Sequence, residues 1–138
     1  MYRKLTFGEL FILLSNLFLI LPALFAAIYS EWLFCFFAGG LFIFSPLFHW
    51  RRITNPSGAY FVIFRLIDWA FATTVFVYMY RYVYHHFIHD VALLFYASLL
   101  LVIIFFLYGW RRGDYNMWHP WFHIIASIVS SAILIMAH

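Results

Sequence analysis

Five polar side chains stand where an otherwise apolar sequence leaves little room for them. Ser45 and His49 close its second long apolar run, Asp68 lies within the third, and His119 and His123 open the fifth. An ionisable or metal-binding group inside a membrane span is costly to keep and marks a functional candidate by default. His119 and His123 are four residues apart, so both imidazoles project from one helical face, and Ser45 and His49 share the same spacing. Two imidazoles on one helix and a third from a neighbour supply three nitrogen ligands and leave a fourth position open, the pattern of a catalytic zinc site. Zinc in such a site lowers the pKa of bound water to about 7. Asp68 could then accept a proton from that water or orient it, and Ser45 could hydrogen-bond the developing oxyanion.

Each residue also has a plainer reading. A histidine near a membrane interface serves as an amphipathic anchor, and Asp68 stands three residues after Arg65, within reach of a structural ion pair. The joint pattern favours the metal: Ser-x3-His at one helix end, an aspartate inside the next helix, and His-x3-His at the start of the last.

The elements that must bring these residues together follow from composition. Of the 138 residues, 67% are hydrophobic and 9% charged, and the mean hydropathy is +0.96. Such a chain cannot cover itself with polar surface in water. A helix crosses the bilayer core in roughly 20 apolar residues, and five runs qualify: Glu9–Tyr29, Trp32–Trp50, Ala59–Tyr80, Val91–Trp110 and Trp118–Ala137. None alternates with period two, which argues against a lipid-facing barrel. The expected fold class is all-α, a polytopic membrane bundle of about five helices in one domain spanning residues 1–138. The first run is too long for a signal peptide and no small-residue cleavage site follows it, so it reads as a retained helix.

Basic residues set the expected orientation. Arg3, Lys4, Arg51, Arg52, Arg111 and Arg112 fall on one side of five alternating spans, and Arg81 alone on the other, with Arg65 inside a span. The positive-inside rule places the N-terminus in the cytoplasm and the C-terminus outside. The Arg-Arg pairs read as anchors at lipid phosphates, and nothing supports a nucleic-acid partner. His49, His119 and His123 then lie at the cytoplasmic ends of their spans. Asp68 lies roughly 10–15 Å into the third, at about 1.5 Å per residue. They can meet because an odd number of helices separates the third span from the last.

Smaller features read as packing or turns. Gly39, Gly40, Ser127, Ser130 and Ser131 let helices approach closely, and Cys35 is a buried small hydrophobe. Asn55-Pro56-Ser57-Gly58 begins the third helix with a proline in its first turn, and Pro120 does the same for the fifth. A loop of about ten residues, Arg81–Asp90, is expected between the third and fourth spans. It carries a second cluster, His85, His86 and His89, in which His85 and His89 share a helical face and a divalent metal is conceivable. Tyr78, Tyr80, Tyr82 and Tyr84 form an aromatic belt.

Ser45-Pro-Leu-Phe-His49, Arg65-Leu-Ile-Asp68-Trp69 and His119-Pro-Trp-Phe-His123 resemble the three signatures of the CREST superfamily of membrane hydrolases. That group includes the alkaline ceramidases, the adiponectin-receptor and hemolysin III proteins, and post-GPI-attachment lipid hydrolases. The resemblance runs from about Ser45 to His123. It implies zinc bound by His49, His119 and His123, with Asp68 and Ser45 beside the water. It also implies hydrolysis of an amide or ester bond in a membrane lipid, ceramide-like substrates first. The family usually has seven helices, and this chain has room for five. Dropping a pair keeps the zinc face together, but leaves a closed lipid cavity to be completed by a homo-oligomer. Two other readings stand beside this one. In the first, a b-type haem is ligated by His49 and either His119 or His123; in the second, a receptor-like or scaffold protein holds a structural zinc. Transport lacks the broken helices or inverted repeat it would need.

Overall fold

The computed structural model describes residues 4–138. Arg3, counted above toward orientation, lies outside the described residues, as do the side chains of Trp110 and Arg112. The described chain is helical, in the order α1 (Phe7–Ser15), a 3-10 turn (Asn16–Leu19), α2 (Ile20–Ile28), α3 (Trp32–Thr54), α4 (Ala59–His86), α5 (His89–Arg112) and α6 (Tyr115–Ala137). Five of its segments are long and apolar enough to cross a membrane, α1 and α2 together forming the first, Phe7–Ile28. The protein is a multi-pass helical bundle.

The first span is started by Thr6. Its hydroxyl accepts the Glu9 amide hydrogen at 3.3 Å, while its own amide donates to Glu9 Oε2 at 2.8 Å, a reciprocal capping box. The span then changes pitch. Pro22 has no amide hydrogen for the Phe18 carbonyl and its ring crowds that oxygen, and the 3-10 turn Asn16–Leu19 absorbs the conflict.

Between α2 and α3 the chain turns in two residues. Ser30 adopts φ 62°, its amide bonds to the Ala27 carbonyl at 3.2 Å, and the Glu31 amide bonds to Ala26 at 2.8 Å. This is the paired hydrogen-bond pattern of a Schellman ending, with serine where glycine is usual. Gly113, φ 76°, ends α5 by the same left-handed device.

Several boundaries differ from those expected, where a turn precedes a helix or a helix continues past its apolar run. Pro56 sits in the turn before α4, which starts at Ala59 behind Gly58, and is not in the helix's first turn. Pro120 is the sixth residue of α6, inside the helix, since Tyr115–Met117 are already helical. The loop expected over Arg81–Asp90 shrinks to Phe87 and Ile88, because α4 runs on to His86. Extended backbone at Phe87 (φ −119°, ψ 144°) breaks the helix between His85 and His89. Those two histidines therefore share no helical face.

α3 packs against α4, and α5 against α6, as two antiparallel hairpins, and the first span lies against both α3 and α6. α4 touches α5 and α6 only sparingly. At Gly40 a β-carbon would fall within 2.2 Å of the Phe71 ring, so α3 and α4 meet there as closely as backbones allow, whereas Gly39 faces open space and has no such role. Ser127, Ser130 and Ser131 are buried as expected, and Cys35 is half-buried at the edge of the core.

The interior is divided. One half is a dry apolar core of Ala26, Phe34, Met79, Val83, Ile133 and Leu134. The other half buries Ser15, Asn16, Ser45, His49, Asp68, His119 and His123. Large apolar side chains such as Phe7, Ile28 and Leu93 point outward, as lipid-facing helices require.

Candidate metal centre

α3 delivers Ser45 and His49 one turn apart, with 1% and 0% of their surfaces exposed. α6 delivers His119 and His123 one turn apart on its inward face, at 5% and 3%. The His49 ring centroid lies 5.1 Å from that of His119 and 5.2 Å from that of His123, and the two α6 rings are 4.6 Å apart. One nitrogen from each of the three falls within 4.8 Å of the others, close enough for a single ion to be held by all three. Among the described residues this is the one such group of three or more.

Hydrogen bonding within the group is incomplete. Neither ring nitrogen of His49 has a partner, although the residue is wholly buried. A buried polar atom left unpaired costs about 1–3 kcal/mol. A cation between the three imidazoles would remove that cost at one nitrogen, so the donor set fits a metal such as zinc.

Asp68 enters from α4, buried, with Oδ1 unpartnered. No ion pair joins it to Arg65 among the described residues. The Arg65 guanidinium lies instead over the Phe61 and Trp69 rings, 5.5 and 5.6 Å from their centroids. Asp68, Ser45, His119 and His123 all border one cavity of about 360 Å³, whose remaining wall is largely apolar, with Phe76, Ile103, Phe106 and Phe122 among its lining. The five residues singled out in the sequence therefore meet at one place, four of them on this cavity and His49 immediately behind.

Three contributors were not assigned to the site in the sequence. Tyr115 stacks on His119 with centroids 4.2 Å apart and planes 17° from parallel. The Arg52 guanidinium lies 3.6 Å from the Tyr115 centroid and donates to Asn116 Oδ1 at 3.2 Å. Arg52, expected to anchor at lipid phosphates, is thus turned inward over the site. Ser15, from the first span, places its hydroxyl 3.0 Å from His123 Nδ1. Tyr115 could have been found as the residue one turn before His119; Ser15 was visible only as part of a polar pair, Ser15-Asn16, amid apolar residues.

The second histidine cluster is dispersed. His86 stacks on Tyr82 with centroids 3.9 Å apart and donates from Nδ1 to the Tyr82 carbonyl. At the same end Glu31 accepts from Tyr78 at 2.8 Å and from Tyr82 at 3.2 Å, and His138 lies 2.9 Å from the Tyr82 hydroxyl. No family model, no curated protein and no solved structure matches the chain.

Proposed function

We propose that the protein is a zinc-dependent intramembrane hydrolase that cleaves an amide or ester bond of a membrane lipid, with ceramide-like lipids the first candidates. The observation that carries this reading is the trio of buried imidazoles His49, His119 and His123, one of them with no other partner, beside a cavity that also holds a carboxyl group and a hydroxyl. The three motif resemblances point to the same chemistry.

Zinc bound there would supply hydroxide at neutral pH by lowering the pKa of water to about 7. Asp68 takes the proton that the water gives up and returns it to the departing amine or alkoxide as the carbonyl carbon loses its C–N or C–O bond. Ser45, next to Asp68, donates its hydroxyl hydrogen toward the carbonyl oxygen as negative charge builds there. Phe76, Ile103, Phe106 and Phe122 hold an apolar chain and keep bulk water from the carboxyl group. A lipid reaches the cavity from the bilayer on the side where α4 barely touches α5. A homo-oligomer would complete the wall on that face. The N-terminus and both Arg-Arg segments face the cytoplasm, which puts the site in the cytoplasmic half of the membrane.

A haem reading is less well served. A porphyrin between His49 and an α6 histidine must pass through the place that the third imidazole occupies.

The test pairs metal content with turnover of fluorescent ceramide and ester lipids by detergent-purified full-length protein. Wild type should carry about one zinc per chain and hydrolyse at least one class, while Asp68→Asn keeps the zinc and loses about 10²–10⁴-fold in rate. Zinc without turnover of any lipid would favour a structural ion in a scaffold protein. A visible Soret band in place of zinc would favour haem.

A further inference from the structure

The hydroxyl of Ser15 has a single hydrogen and two close neighbours. The Ile12 carbonyl oxygen, 2.9 Å away, can only accept, so it takes that hydrogen. The second neighbour, His123 Nδ1 at 3.0 Å, then faces an oxygen whose remaining capacity is to accept. Nδ1 must therefore carry the imidazole hydrogen, which leaves the lone pair of the neutral ring on Nε2.

That division of labour is what a ligating histidine needs. The nitrogen that meets a metal must be unprotonated, and a fixed acceptor on the other nitrogen sets both the tautomer and the ring orientation. We infer that Ser15 is a positioning residue for the metal centre, accepting the Nδ1 hydrogen of His123 so that Nε2 is held ready as a ligand. The metal half of this inference rests on the function proposed above; the tautomer half stands without it.

The local fold supports the assignment. Ser15 is 1% exposed and is the last residue of α1, directly before the 3-10 turn. Asn16 also donates to the Ile12 carbonyl, at 2.5 Å, so that oxygen is a fixed feature of the break. The proline-driven change of pitch in the first span thus has a use: it sets a hydroxyl against α6 at the height of His123.

Histidine-labelled full-length protein, freed of metal in detergent, gives the tautomers from ring ¹³C and ¹⁵N chemical shifts, with His123 assigned by its loss in His123→Ala. Wild-type His123 should be the Nδ1–H form, and finding it as Nε2–H would overturn the inference without any variant. Ser15→Ala should release the tautomer and weaken zinc binding about 10- to 100-fold in competition with a chromophoric chelator. Ser15→Thr, which keeps the hydroxyl, should restore both. Ser131→Ala removes a buried hydroxyl of α6 that has no partner and should change neither. An unaltered His123 tautomer or unaltered zinc affinity in Ser15→Ala would overturn the role of Ser15, with the proposed function intact. A wild type that binds no zinc would instead overturn the proposed function, and the metal half of this inference with it.

Discussion

The two ends of the bundle both gather histidines, tyrosines and a carboxylate, and they treat them in opposite ways. At the Glu31 end the hydrogen bonds close on themselves: Tyr78 and Tyr82 donate to Glu31, His138 meets the Tyr82 hydroxyl, and His86 donates to the Tyr82 carbonyl. Glu31 and His138 keep partial contact with the surroundings. At the His49 end three imidazoles are packed together in the interior, with both nitrogens of His49 and one oxygen of Asp68 unpaired. Buried polar groups are nearly always satisfied in folded proteins, and the exceptions need a reason. A cluster that is already satisfied needs no further partner; one that is buried and unsatisfied leaves donor atoms for the ion proposed above. The number of histidines does not distinguish them, since His85, His86, His89 and His138 outnumber the three at the other end.

The sharpest way to break that comparison is to delete histidines from each end. His123→Ala should take zinc from about one per chain to near zero, since two remaining imidazoles no longer form a closed three-ligand set. His85→Ala/His86→Ala should leave the zinc in place. Metal content by mass spectrometry after chelator-free purification reads both. Zinc that survives His123→Ala but leaves with His85→Ala/His86→Ala would reverse the assignment of the two ends.

How much of this was legible in the sequence differs between the ends for the same reason. The fold class and five spans follow from apolar run length, and His49, His119, His123, Asp68 and Ser45 could be brought together because four-residue spacing and an odd helix separation decide which side each faces. Interactions that depend on a third helix were not readable. Ser15 reaches His123 across 108 positions of sequence, and nothing in LLSNLF distinguishes its partner. Arg52 and Tyr115 were obscured by a general rule: basic residues at helix ends anchor to phosphates, but here the guanidinium lies over a tyrosine ring. His85 and His89 looked like helical neighbours because spacing cannot register a break at Phe87 that leaves only two residues between α4 and α5. Glycine spacing likewise could not tell Gly40, pressed on Phe71, from Gly39, which faces nothing.

A smaller effect sharpens the comparison from the other side. If the Glu31 end is structural, Glu31→Ala should cost stability and spare the metal. Two tyrosyl hydroxyls lose a charged acceptor, worth about 1–2 kcal/mol at a site with partial solvent contact. Denaturant unfolding in detergent measures the loss, and zinc content in the same samples should stay at the wild-type value. A fall in zinc would mean that the two ends are coupled and that neither can be read alone.

The smallest expected effect tests the turn that puts Glu31 in place. Ser30 holds φ 62° so that its own amide and that of Glu31 can cap the last carbonyls of α2. A side chain with a β-carbon is strained there, and glycine is not. Ser30→Gly should therefore stabilise the protein by about 0.5–1 kcal/mol, less whatever the more flexible unfolded chain takes back. Because the backbone path is unchanged, Tyr78 and Tyr82 should still find Glu31, and the metal centre at the far end should not respond. A destabilised Ser30→Gly would mean that the serine side chain itself contributes to the Glu31 end, which would then be held by more than its tyrosine and histidine bonds.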